Sequence, residues 1–311
     1  MVQERYFGIG EEATFKTAVA ATKYIDIEAE KIMPYRTYIM DRGAGSQAIR
    51  TKRGGREGAA GNVTFPVRPD NITNFLKWCF GTVTSTQQGA TSAYKHTFNF
   101  SDGPVKSFTG RVGKEVHEEV YAGMLVDSLA FGSTPDDDLT VVPSLIGGKA
   151  MVTASIGTPS FSTLDTFVYH ENTAKIGGSD STIVEAFGLM ISRNISDFRV
   201  AKSKELPRIV CGPRTVGGSM RLDFVSTDEL NRFVNDTTTS LEFLFEGASI
   251  GATGYKYTID FKMPKIYYTA APTPSVMGRA RLQADANYHA LYDSGIAGEI
   301  QVYVINEETT I

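Results

Sequence analysis

Residues 24–30 read Tyr-Ile-Asp-Ile-Glu-Ala-Glu, with apolar and acidic side chains alternating at period two. That alternation predicts a strand with one face on a core and one in water: Ile25, Ile27 and Ala29 on the first, Asp26, Glu28 and Glu30 on the second. Comparable runs rich in β-branched and aromatic residues fill 62–67, 94–100, 115–121, 125–131, 139–146, 241–245, 255–263, 280–286 and 299–305, with Gly, Pro, Asp and Ser between them. Helical spacing is confined to two windows, 70–78 and 226–234. Each opens with residues that cap helices and then places apolar side chains three and four apart. The pattern predicts a mainly β protein with two short amphipathic helices.

The two helical windows sit in matching surroundings. Gly61 opens a short β-rich run ahead of the first helix, and Tyr-Lys-His-Thr-Phe-Asn-Phe (94–100) follows it. Gly218 opens a similar run ahead of the second, and Tyr-Lys-Tyr-Thr-Ile-Asp-Phe (255–261) follows that. The offset is 157 residues between Gly61 and Gly218, 158 between Ile72 and Leu230, and 161 between Tyr94 and Tyr255. So small a drift, absorbed in loops, is what a tandem duplication leaves. The boundary falls in the Ser/Thr/Gly-rich stretch 156–163, dividing the chain into domains 1–160 and 161–311.

The 311 residues are 41% hydrophobic and 21% charged, too apolar for a disordered chain and long enough for two domains. Net charge is −4, and neither half carries the basic excess that clamps phosphates. No run of 18 or more apolar residues exists and no apolar leader follows Met1, so the chain is expected to be soluble and made in a cytosol. Cys79 and Cys211 are too few for a metal cluster or a disulfide framework and are expected to be buried thiols.

Candidate chemistry is sparse. The Gly-Ile-Gly-Glu-Glu-Ala run at 8–13 lacks the preceding strand and the βαβ unit of a dinucleotide site. His96, His117, His170 and His289 are scattered, and no Ser/His/Asp or Cys/His grouping has local support. Asp136, Asp137 and Asp138 lack the ligand spacing of a calcium loop and read as a hairpin tip. The reading is of no enzyme, no catalytic residues, no cofactor and no metal. One basic, glycine-rich cluster, Arg50, Lys52, Arg53 and Arg56, reads as a mobile loop that orders against a protein partner, with nucleic-acid contact as the alternative.

The run Gly8-Ile9-Gly10-Glu11-Glu12-Ala13-Thr14-Phe15-Lys16-Thr17-Ala18, the strand to Glu30, and the Gly61, Gly123 and Gly218 strands resemble tail tube proteins of long-tailed bacteriophages in their duplicated form. Lys16 departs from the pattern, since glycine is expected there. The resemblance implies two tandem β-sandwich tube domains, each with one flanking helix. These would form an inner β-barrel in stacked rings that conduct DNA from capsid to host. It also implies a virion tail location after assembly in the host cytoplasm. The implied partners are further copies of the chain, a tape measure protein inside the tube, and tail terminator and distal-tail or baseplate proteins at its ends. DNA would pass without specific binding, and no membrane is involved. Another β-rich virion part, a distal-tail or tube-completion protein, and a tandem-sandwich adhesion module are the alternatives.

Three expectations follow on the tube reading. Two domains per chain make a trimeric ring with pseudo-six-fold symmetry. The polar stretches 41–61 and 201–217, the first carrying Arg50, Lys52, Arg53 and Arg56, make ring-to-ring contacts. Asp26, Glu28 and Glu30, with Glu242 and Glu246 in the second half, line an acidic channel that repels the DNA backbone.

Overall fold

The computed structural model describes residues 5–41, 43–45, 47–153, 156–274, 276 and 281–311. Its first half comprises β1 (Arg5–Glu11), β2 (Lys23–Ile25), β3 (Ala29–Met40), β4 (Lys52–Pro66), α1 (Thr73–Phe80), β5 (Gly81–Gln87), β6 (Tyr94–Phe100), β7 (Phe108–Lys114), β8 (His117–Ser133) and β9 (Thr140–Thr153). The second comprises β10 (Asn172–Ile176), β11 (Ser179–Asp180), β12 (Val184–Ser192), β13 (Thr215–Asp223), α2 (Asp228–Val234), β14 (Thr239–Ser249), β15 (Lys256–Tyr268), β16 (Gln283–Ala290) and β17 (Gln301–Asn306). The protein is mainly β, and every ladder among these strands is antiparallel.

Pairing runs in two series of the same form. The first reads β2-β1-β7-β8-β9-β4-β3 and the second β11-β10-β14-β15-β16-β13-β12, matched strand for strand in chain order. The registers agree in detail. Gly61 lies between Ile32 and Leu145, and Gly218 between Leu189 and Tyr288. A Cβ on Gly61 would stand 1.9 Å from the Lys31 carbonyl, and one on Gly218 would stand 1.9 Å from the Gly188 carbonyl. No side chain fits at either, and the glycines and the carbonyls are both 157 residues apart. The same irregularity also recurs: β7 is displaced against β8 between Phe108 and Gly110, as β14 is against β15 between Thr239 and Leu241.

This topology corrects one alignment. The strand over 94–100 does appear as β6, but the ladders pair it with β5 and β17, outside both series. The series counterpart of β15 is β8. The two halves are hydrogen-bonded together by β8 with β12 and by β6 with β17. Phe167, just past the 156–163 stretch, donates to Val67 O at 3.0 Å and accepts from Leu139 N at 2.7 Å.

One hydrophobic cluster spans both series. In the first half its centre is aromatic. Trp78 lies flat on Phe108 at 4.3 Å between ring centroids, and Phe75 meets Phe7, Phe65, Trp78 and Phe108. Each such ring contributes roughly 1.5–3 kcal/mol by burial. Helix α1 supplies Phe75, Leu76, Trp78, Cys79 and Phe80 to this core, and Gly81, at φ 89°, ends it in the left-handed region. Helix α2 buries no residue, and Val225, Phe233 and Val234 around it are exposed. The expectation of two equivalent amphipathic helices therefore holds for α1 alone.

Several expected boundaries moved. Residues 26–28 leave the ladder, so 24–30 is not one strand: β2 pairs with β1, β3 pairs with β4, and the chain turns a corner between them. Of the expected strands over 115–121 and 125–131, residues 117–121 and 125–131 merge into the long strand β8, through Gly123 at φ 74°, while 115 and 116 form the turn before it. The glycine-rich run at 8–13 is largely strand β1. The expected strand over 280–286 begins outside the described residues, and of its described part residues 283–286 lie in β16.

Candidate functional site

Three open surfaces among the described residues bear on function. The first is an arm. Strands β3 and β4 pair along their length, but β9 covers β4 only from Ala59 onward. Toward the tip the hairpin has no further strand, so neither face meets a core. Tyr38, Ile39, Met40 and Ile49 are exposed there, Ile39 to 66%. The arm's base is fixed from the second half. The Tyr35 hydroxyl donates to Asp197 (3.1 Å) and accepts from Arg199 (2.9 Å), which also donates to Glu57 O (2.9 Å), and Glu57 N donates to Lys204 O (2.9 Å). Burial, then the Asp197 charge, push the Tyr35 phenol up.

The second surface is the outward face of the continuous sheet β3-β4-β9-β8-β12-β13-β16-β15. Alternation places Ile32, Phe131, Leu189 and Met220 inward and Asn62, Ser144, Ala130, Gly188, Ser219 and Asn287 outward. These six are small and uncharged; the same face also carries Lys31, opposite Asn62, together with Met190, Lys265, Tyr267 and His289, and Arg221 is matched by Asp285 across the ladder at 3.2 Å. The third surface is the edge of β3, which among the described residues pairs only with β4.

The acidic candidates divide between places. Asp26 and Glu28 are exposed in the connection that leads into β3. Glu30 is not on their face: its side chain is 11% exposed, takes the Ile32 amide on Oε1 (2.6 Å) and lies 3.5 Å from Lys114 Nζ. Glu242 and Glu246 belong to β14, off the eight-strand sheet. Glu242 pairs with Lys175 at 2.8 Å, and Glu246 lies 3.6 Å from Lys256. Beside Glu242, Asp260 is fully buried with Lys262 Nζ at 3.3 Å. Burial, then the Glu242 charge, raise its carboxyl to about 6.

The basic candidates are not in a loop. Lys52, Arg53 and Arg56 lie in β4, opposite Met40, Ile39 and the Arg36–Tyr38 bulge, and Arg50 lies just outside that strand. Lys52 Nζ stands 5.1 Å from the centroid of the Tyr38 ring, and Arg56 is 3.6 Å from Asp197. Residues 201–217 also differ from expectation. They cross onto the first half, where Leu206 joins Val105, Leu125 and Ile195 in a small apolar cluster and Glu205 pairs with Lys16 at 3.1 Å. Sequence reasoning missed the apolar arm tip, whose Tyr-Ile-Met run has no periodicity because both of its faces are open.

The Cys79 thiol is buried and pushed up to about 12 by that burial, and Cys211 is half-buried; both are free. Among the described residues no group of three or more His, Cys, Asp or Glu converges as metal ligands, and no helix is long and apolar enough to cross a membrane.

Open strand edges, a two-faced apolar arm and a broad polar sheet face define a structural protein built to be covered by other chains. A family model described as phage tail tube protein matches residues 3–290, and the chain belongs to that family. No curated protein matches it. The protein is thus a structural component of the phage virion tail.

Proposed function

We propose that three copies of the chain close a ring of pseudo-six-fold symmetry, and that rings stack into the tube through which DNA leaves the capsid. The observation that carries this is the repetition of the seven-strand series, down to Gly61 with Gly218 and the shared irregularity in β7 and β14. A chain with two equivalent units fills six positions with three copies. The two units correspond to the domains 1–160 and 161–311. The channel wall is the outward face of the eight-strand sheet. Many of its side chains are small and neutral, Arg221 and Lys265 are paired with Asp285 and Asp293, and Asp26 and Glu28 at its margin add negative charge against Lys31 on the same face. Glu30, Glu242 and Glu246 are held near lysines and contribute less.

The β3–β4 arm spans rings. Its exposed apolar tip gains from burial on a neighbouring copy, and Arg50, Lys52 and Arg53 supply charge pairing around it. A tape measure protein inside the tube and terminator and distal-tail proteins at its ends complete the assembly. Electron microscopy and native mass analysis of the purified protein test this reading. Hollow tubes and rings of three chains are expected, and rings of six chains contradict the trimer.

A further inference from the structure

The geometry points to a specific junction between neighbouring chains, resting on the ring reading above: the open edge of β3 receives residues 270–274 of a second copy, and Glu30 closes that edge until the copy arrives. Within one chain, residues 188–192 of β12 pair with residues 128–132 of β8. This is the join between the two series, and each strand in it has a counterpart. Strand β12 corresponds to β3 through Leu189 and Ile32, which flank Gly218 and Gly61. Strand β8 corresponds to β15 through Val126 and Tyr268, which face Leu145 and Tyr288. Moved by those offsets, the join falls on residues 31–35 of β3 and on 270–274, just past the end of β15. Both sides are vacant, for β3 has β4 alone and 270–274 has no ladder among the described residues. The two vacancies cannot meet inside one chain as β8 and β12 do, so a second copy is the occupant.

The backbone chemistry fits this register. The amide of Ile32 is bonded to Glu30 Oε1 at 2.6 Å and is not spent on β4, so the main-chain groups of Ile32 and Pro34 point to the open edge. Opposite them in the transferred register stand Thr273 and Ala271, which keep their amides. Pro272 and Pro274 occupy the alternate positions, whose nitrogens point away from the join. In the single chain the Thr273 amide is turned onto Ala271 O at 2.9 Å. Both donors of the central Ile32–Thr273 pair are therefore satisfied internally. An edge strand whose donors are covered does not template pairing with stray chains. Lys114 Nζ at 3.5 Å holds Glu30 in that role.

The test is disulfide formation in assembled particles. Met33→Cys with Pro272→Cys places two thiols opposite each other at a non-hydrogen-bonded pair, where Cα atoms approach most closely. Lys31→Cys with Pro274→Cys is a second pair should the first impair folding. Met190→Cys with Ala130→Cys, the equivalent pair within one chain, is the positive control. Oxidised tubes are expected to give a ladder of linked chains on denaturing gels. Tubes that form the control bond but no linked chains overturn the junction, whereas failure of the unmodified protein to form rings or tubes counts against the ring reading itself. Glu30→Ala frees the Ile32 amide and is expected to lower the protein concentration at which tubes appear by about tenfold, the worth of one hydrogen bond. An unchanged or higher threshold overturns the guard.

Discussion

Two buried carboxylates at equivalent positions show how far single residues have diverged between the series. Glu118 of β8 is held by Tyr6 and by Arg111, each at 2.6 Å. Asp260, its counterpart in β15, has Glu242 where the first series has Arg111, and its carboxyl rises from 3.8 to about 6. A carboxyl raised in the fold binds more protons folded than unfolded, so stability falls as pH rises from about 4 to about 6 and stays lower above that. The penalty at pH 7 is on the order of 3 kcal/mol. Asp260→Asn is expected to raise the neutral-pH melting temperature and to lose that advantage near pH 4, as thermal melts across pH will show. Glu12 is the opposite case. It is buried and accepts from Lys16 N, Ser107 Oγ, Thr109 Oγ1 and Gly123 N at 2.7–2.9 Å. Glu12→Ala leaves those donors unpaired and should cost roughly 3–5 kcal/mol in urea unfolding. Lys16, where glycine was expected, has φ 67°, so the sequence pattern located a left-handed position even though the residue departs from it. Lys16→Gly relieves the backbone but loses the ion pair with Glu205, and should change stability by less than about 1 kcal/mol.

At the scale of elements, strands with one buried face were legible and strands without one were not. The run at 94–100 alternates half-buried and buried side chains along β6 and its bounds were read directly. Strand β1 was missed because nearly all of it is buried, with glycines in place of alternation, and the arm was missed because both of its faces are open. Regular spacing also overreached: the acidic alternation at 24–30 continues through a corner where the backbone leaves one layer for another. The arm's architecture changes the experiment it calls for. Removing residues 51–58 would delete one strand of a paired hairpin and strand the other, so both strands must go. Replacing residues 36–57 with a two-residue Asn-Gly turn keeps Tyr35 opposite Gly58 and should leave a folded subunit whose rings do not stack, because the exposed part of that segment packs on no core of its own chain. Sedimentation and microscopy check this, and normal tubes from the shortened protein would contradict an inter-ring arm.

For the whole molecule, the matched positions of Gly61 and Gly218 were legible, while the partnership of β6 with β17 was not, because a C-terminal strand returning to the first half leaves no local sequence signal. That return, with the β8–β12 ladder, hydrogen-bonds the two halves into one body, as the proposed three-chain ring requires. In the proposed assembly the surfaces have distinct tasks: the eight-strand sheet faces the channel, the β3 edge and residues 270–274 close the ring, and the arm joins ring to ring. A cryo-electron microscopy reconstruction of tubes grown from the purified protein tests this assignment most directly. The account predicts three chains per ring, with β3-β4-β9-β8 and β12-β13-β16-β15 of each chain forming an unbroken inner wall. Six chains per ring, or an inner wall built from β14, β17, β6 and β5, would contradict it.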